Sequence, residues 1–276
     1  HSRKIIMIKK TLLSFFGFLL FYIFVGDINA NQSDEPIEIY ADDGIEWHKN
    51  EKKYLAIGNA KATQGSLSLK SDLIEAFYEE NSNSEMDIIK VQAHKNVLVT
   101  DDKVRITGGN SAEFNVVKDH FKITGKKLQL TSERDKLNAN KKIEYWRSKN
   151  IAVATGKAVA IKKDEFVIKG EKLVWHIEKK GEKMNIKKIL GFENVSIETN
   201  NEVAFSDKAL YNKSKEICKL FGNVRLQKGE SFLFGDYAEV DLKKGISKLM
   251  PAPTKNQKKE ERVKALINKE GLKTNE

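Results

Sequence analysis

Between residues 71 and 245 a short cassette recurs six times: a small or polar residue, then a polar one, then an alternating strand that ends on a large apolar side chain. The copies begin at Ser71-Asp72, Gly109-Asn110, Asn140-Lys141, Gly170-Glu171, Ser206-Asp207 and Gly235-Asp236, the third being the weakest. Their starts lie 38, 31, 30, 36 and 29 residues apart (109−71, 140−109, 170−140, 206−170, 235−206), the imperfect period of a stacked array. A unit this short cannot bury its own apolar face. The units must therefore stack, giving a long body with one continuous interior and two open ends.

A second signature precedes most cassettes: Gly58-Asn59-Ala60, Lys95-Asn96-Val97, Gly156-Lys157-Ala158, Glu193-Asn194-Val195 and Gly222-Asn223-Val224. Glycine and asparagine tolerate positive φ, so each reads as a tight turn entering the next strand. The only prolines are Pro36, Pro251 and Pro253. Proline cannot donate to a strand ladder, so the proline-free stretch between 36 and 251 suits a body of paired strands and tight turns. About 14 to 18 strands fit a body of roughly 220 residues at ordinary lengths.

The strands alternate with period two, one face apolar and the other charged or polar. This pattern assigns to the inward face Ile37, Ile39, Val104, Ile106, Phe114, Phe121, Ile123, Phe166, Ile168, Trp175, Val203, Phe205, Tyr211, Phe232 and Phe234. An ordinary filled core and a lengthwise apolar slot for acyl chains both satisfy that set.

The ends differ from the body. Met7 opens a basic Ile8-Lys9-Lys10 region, an apolar run from Leu12 to Val25 follows, and Ile28-Asn29-Ala30 offers a small residue for cleavage. Residues 1–30 thus read as a secretory signal with upstream residues, 31–250 as the folded body and 251–276 as a basic flexible tail. Within the tail, Arg262-Val263-Lys264-Ala265-Leu266-Ile267 has the makings of a helical turn or two. The apolar run is shorter than the roughly 20 residues that span a bilayer, and an uncleaved anchor is the alternative.

The formal charge is +10, from 49 basic and 39 acidic residues. Removing residues 1–30 (four basic, one acidic) leaves 45−38 = +7, and removing the tail (seven basic, four acidic) leaves 38−34 = +4. A mixed, solvated surface of this kind lacks the clustered cations of a nucleic-acid interface.

Catalytic constellations are missing from the sequence. His48, His94, His120 and His176 form no close metal-ligand pair, and no nucleophile elbow or phosphate loop is present. Asp42-Asp43 and Asp101-Asp102 sit beside Gly or Lys and read as hairpin tips. The single cysteine, Cys218, cannot form an internal disulfide and reads as a small hydrophobe in a strand. No cofactor and no metal are expected.

Gly58-Asn59-Ala60 with Leu67-Ser68-Leu69-Lys70-Ser71-Asp72, and the late copy Gly222-Asn223-Val224 with Gly235-Asp236-Tyr237-Ala238-Glu239-Val240-Asp241, resemble the OstA-like (LptA) domain family of lipopolysaccharide transport proteins. The resemblance covers about residues 36–250. It implies an all-β fold, an elongated, twisted β-jelly-roll of stacked antiparallel strands whose interior holds lipid A acyl chains in the periplasm. It also implies transfer without chemistry, head-to-tail self-association through edge strands, and docking to inner-membrane LptC-like and outer-membrane LptD-like jelly-rolls. The body is long for a single bridge domain of that family, with an insertion around Glu79 to Asp87. A membrane-anchored LptC-like relative and a solid-core β-solenoid structural protein remain as alternatives.

Overall fold

In a computed structural model of the chain, the described residues are 37–267 except 81–85, 101–103, 133–134, 164–165, 181–182, 200–201, 242, 245 and 252–262. They form one antiparallel sheet with no helix among them. β1 (Glu38–Tyr40) and β2 (Gly44–His48) share the first rung of a ladder. β3 (Lys53–Gln64), β4 (Leu67–Glu80), β5 (Met86–Thr100) and β6 (Arg105–Asn115) make one rung each. Two split rungs follow: β7 (His120–Thr124) with β8 (Leu128–Thr131), and β9 (Asp135–Ala139) with β10 (Lys142–Trp146). Then come six whole rungs: β11 (Ile151–Lys162), β12 (Phe166–Lys180), β13 (Lys183–Glu198), β14 (Val203–Asn212), β15 (Ile217–Lys228) and β16 (Ser231–Asp241). β17 (Ile246–Met250) and β18 (Lys264–Leu266) share the last rung. Ten whole and four split rungs make fourteen, which at roughly 4.8 Å per pairing extend about 60 Å.

Every rung changes direction near its middle, so its two halves belong to two half-sheets. The upper one contains β1, β8, β9 and β18; the lower contains β2, β7, β10 and β17. Both sequence signatures turn out to be these corners. Gly58/Asn59, Lys95/Asn96, Gly156/Lys157, Glu193/Asn194 and Gly222/Asn223 each hold two consecutive positive φ angles. Ile57 pairs with Leu73 and Ala60 with Ser71, so Gly58 and Asn59 together face Asp72 alone. Such a two-against-one bulge bends a strand without ending it. These pairs are therefore corners inside rungs, which corrects their reading as turns entering the next strand. The cassettes mark corners on rungs running from upper to lower half-sheet, and the Gly/Asn pairs mark the return rungs. One sequence period is two rungs.

Asp42-Asp43 is also a corner rather than a hairpin tip: the Asp42 N–H donates to the Gly58 carbonyl (2.8 Å) and the Asp43 N–H to that of Ile57 (3.0 Å). Asp101-Asp102 lies outside the described residues. Asn59 donates its amide to Asp42 (2.9 Å), Asn96 to Asp72 (3.0 Å) and Asn223 to Asp207 (2.8 Å), tying each corner to its neighbour. A side chain in place of Gly58 or Gly222 would drive its Cβ into the carboxylate of Asp43 or Asp207. The two signatures are thus the two sides of one device.

The corner geometry repeats at long range. Asn140 donates its N–H to Gly156 (2.6 Å) and Lys141 to Thr155 (3.1 Å), as Asp42 and Asp43 do to Gly58 and Ile57. The spacing is constant: 140−42, 156−58 and 194−96 are all 98. Six rungs make one such unit, and the sheet runs unbroken from one unit to the next through β7–β10, β8–β9, β9–β11 and β10–β11 pairing.

The helical turn expected over Arg262–Ile267 is a strand at its centre: Lys264, Ala265 and Leu266 pair with Phe234, Leu233 and Phe232. An alternating Val-Lys-Ala-Leu segment satisfies an open sheet edge more readily than it supplies a wide helical stripe. The signal segment and the rest of the tail lie outside the described residues.

Candidate functional site

The half-sheets face each other across an apolar interior. On the upper side a single pairing row crosses all fourteen rungs: Ile39, Ala62, Leu69, Val99, Ile106, Leu130, Leu137, Ala160, Ile168, Ile197, Ala204, Leu226, Leu233 and Ala265. A matching lower row runs from Trp47 through Tyr54, Ala76, Val91, Phe114, Phe121 and Tyr145, then through Ala152, Trp175, Ile189, Tyr211, Cys218 and Val240. No charged side chain interrupts either row. Alternating small and large members let the rows interdigitate at close-packed density.

Eleven of the fifteen residues expected to face inward do so: Ile37, Ile39, Val104, Ile106, Phe114, Phe121, Ile123, Phe166, Ile168, Trp175 and Tyr211 all belong to the core or pack against it. The inward assignment fails at Val203, Phe205, Phe232 and Phe234. Their inward neighbours in the strand are Ala204 and Leu233, which pack on the core, whereas Phe205 pairs with Ser196 and Arg225 on the outer face. The reason is a phase change at the cassette corner. In β14 the buried positions are Ser206 before the corner and Ala209 after it, an odd step. A reading carried back from Tyr211 with a fixed period of two lands on the wrong face. Outside, the aromatics are not idle: the Arg225 guanidinium lies 4.1 Å from the Phe205 ring centroid and 5.9 Å from that of Phe232.

Packing is uneven along the ladder. Between Ile39 and Ile189 one core is closed, with Leu137, Leu173 and Trp175 at 0% exposure. From Val195 to Ala238 a separate, smaller cluster takes over, and Ala204, Tyr211, Leu233, Val240 and Leu249 are only half-buried. The small members of the rows, such as Ala62, Ala160 and Ala204, are what reading by large side chains missed. Period-two alternation centred on alanine was the available signal.

Polar chemistry is peripheral. Cys218 is buried in β15, and burial pushes its thiol up to about 12, so it stays protonated and inert. Burial likewise pushes the Tyr145 hydroxyl up to about 12. His48 is raised by hydrogen bonds to Glu46 and Glu51. His120, stacked on Trp146 at 4.6 Å, is lowered by burial against the opposing pull of Glu144. Among the described residues no group of three or more His, Cys, Asp or Glu is arranged to hold a metal ion.

The ladder also has two open sides. Within the described pairings, β1 and β2 bond only to β3, and β17 and β18 only to β16. Each end rung therefore presents an edge to which a further strand can add.

A ladder bent along its length so that two half-sheets close on one apolar interior is an elongated β-jelly-roll. The sequence profile described as LptA/(LptD N-terminal domain) LPS transport protein matches residues 38–149 and again 139–246, and the chain belongs to that family. The start-to-start distance of the two matches, 139−38 = 101, agrees closely with the 98-residue corner spacing, so the body carries two family modules in tandem. No curated protein matches the chain. Among solved structures it is similar to the crystal structure of LptH, the LptA homologous periplasmic component of the lipopolysaccharide transport device from Pseudomonas aeruginosa. That match has 13% identity and a TM-score of 0.43, and covers 49% of this chain and 95% of that one.

Proposed function

We propose that this protein is a periplasmic lipopolysaccharide carrier that shields lipid A acyl chains in the interior between its half-sheets and passes them along it. The observation that carries the reading is the pair of apolar rows, which offers apolar surroundings on both half-sheets at every rung but the last, where Ser247 closes the lower row. Burying one CH₂ contributes about 0.8 kcal/mol, so several acyl chains are held firmly by partial enclosure. Similar apolar rows one rung apart keep the free-energy change of each step small within the looser and within the closed stretch. Direction comes from outside, since the family is one of transport proteins and transfer between similar sites along the interior has no preferred sense of its own.

The looser last rungs are the natural place of entry, and Ile197, Ala204, Tyr211 and Leu233 the first contacts. Further in, the core residues Ile106, Ile123 and Trp175 meet lipid when the half-sheets part. Export by a cleaved signal supplies the periplasmic address. The open end rungs suit head-to-tail association with further copies and with LptC-like and LptD-like jelly-rolls, extending rather than closing the assembly. One observation favours the competing solid-core structural reading: the interior from Ile39 to Ile189 is already filled by side chains.

Photo-crosslinking in cells separates the two. A photoreactive residue at Ala204, facing inward, should form an adduct with lipopolysaccharide, and one at Phe205, facing outward on the same strand, should not. Absence of an adduct from Ala204 in a folded, exported protein would favour the solid core.

A further inference from the structure

At the N-terminal end, on the side of the sheet opposite the interior, a cleft of about 1090 Å³ lies along the corners of the first four rungs. Its size matches the upper range of small-molecule sites. Its walls mix polar and charged groups with the apolar Ala41 and Ile45, which pack against the core, and Leu98. Tyr40 of β1, Lys61 of β3 and Lys70 of β4 line it from the upper half-sheet, paired side by side across the rungs. The corner contributes the two carboxylate–amide pairs Asp42–Asn59 and Asp72–Asn96.

The charges nearly balance: Glu38, Asp42 and Asp72 stand against Lys61 and Lys70. A bare anion meets three carboxylates there, and an apolar chain meets five charged groups beside the small apolar patches of Ala41, Ile45 and Leu98. A hydroxyl-rich ligand of little net charge fits the mixture. Each corner carboxylate takes one amide from its asparagine and keeps lone pairs for ligand hydroxyls, while the lysines donate. The Tyr40 hydroxyl is held by Glu38 (2.5 Å), which fixes the ring as a flat wall for the apolar face of a sugar.

The second module supplies an internal control. At the positions 98 residues on, the Tyr40–Lys61 pair becomes Asn138–Val159 and the Glu38–Thr63 pair becomes Lys136–Ile161, in the same register. The backbone plan is identical, so the polar lining of the first module is not a requirement of the fold. The tyrosine, lysine and glutamate of the first module are absent from these corresponding positions of the second.

We propose that this cleft binds the saccharide portion of lipopolysaccharide, with sugar held outside the sheet and acyl chains inside it; the assignment rests on the carrier function proposed above. Calorimetric titration of the full chain with oligosaccharide freed of lipid A by mild acid tests it. The wild type should bind. The double variant Tyr40→Asn/Lys61→Val, which takes the residues of the second module, should bind at least tenfold more weakly, as should the independent variant Lys70→Gln. Binding of a fluorescent fatty-acid probe should stay within twofold in all three. No binding by the wild type, unchanged binding by the folded variants, or equal binding of maltohexaose would overturn the proposal. Loss of the fatty-acid signal alone, with oligosaccharide still bound at the cleft, would count against the interior conduit and leave the saccharide site standing.

Discussion

On the outer face of the lower half-sheet one pairing row reads Glu75, Gln92, Glu113, Lys122 and Glu144, and its continuation reads Val153, Val174, Leu190 and Leu210. The first stretch is stitched by polar contacts: Gln92 donates to Glu113 (2.7 Å), and Glu75 meets both Lys53 and His94 at 3.1 Å. The second is aliphatic as far as Leu210, after which the row returns to charge at Lys219 and Glu239. The first change falls at β10–β11, near the seam of the two modules, while corners and interior rows run through it unaltered. The fold therefore depends on corners and inner rows, and the outer faces are free to differ. The interiors differ as well, closed over the first ten rungs and loosening over the last four.

The largest test of that contrast is truncation of the same upper row in the closed middle of the ladder and near its C-terminal end. Leu137→Ala, at 0% exposure, should cost about 2–5 kcal/mol through the cavity it leaves, whereas Leu233→Ala, half-buried, should cost only about 1–2 kcal/mol. Urea unfolding measures both. Equal losses would mean that the last rungs are packed as tightly as the first.

Corners should behave alike in the two modules. Gly58→Ala and Gly222→Ala each place a Cβ against a carboxylate at positive φ, and each should cost about 2 kcal/mol or more. Gly229→Ala, also at positive φ but with open space around it, should cost roughly 1 kcal/mol. A marked difference between Gly58 and Gly222 would break the claim of one backbone plan.

Acidification should weaken the first module more. His120 is lowered from its usual value of 6.5 chiefly by burial, so between its folded and unfolded values the unfolded chain binds the extra proton. Its contribution is present above pH 6.5 and is lost as pH falls through the lower, folded value. Thermal unfolding at pH 7.5 and 5.5 should show a smaller acid-induced drop in His120→Gln than in the wild type. His48 has the opposite sign, its contribution being full below pH 6.5 and lost on alkalinisation through the raised value, but it is too exposed for a measurable share. Smallest of all, Glu239→Gln, which removes an exposed pair with Lys219 at 3.2 Å, should change stability by no more than about 0.5 kcal/mol.

Much of this architecture was legible because its signals are local. Alternation marks strands, and a Gly or Asn that must take positive φ marks a corner, so the all-β ladder and eleven inward residues follow from the sequence. Val203, Phe205, Phe232 and Phe234 were misplaced because the cassettes at Ser206-Asp207 and Gly235-Asp236 mark the corner but not the change of face across it, which only cross-strand register reveals. The tandem modules were visible in Gly58-Asn59-Ala60 and Gly156-Lys157-Ala158 but hidden beneath the shorter two-rung period. The polar cleft gave no signal, since Tyr40, Lys61 and Asp72 meet only through the pairing of rungs remote in sequence.

The rungs lie across the long axis, so the hydrogen bonds between them point along it. A chain stretched between two anchored ends would carry the whole load at each interface in turn, and its bonds would peel open one after another instead of sharing the force in shear. Among the described residues the thinnest such interfaces have eight residue pairs each, β1 and β2 with β3, β5 with β6, β6 with β7 and β8, β14 with β15, and β16 with β17 and β18, against ten between β11 and β12. Under tension this molecule would part first at one of these thin interfaces, and a break at an end rung would leave every other rung paired on both sides.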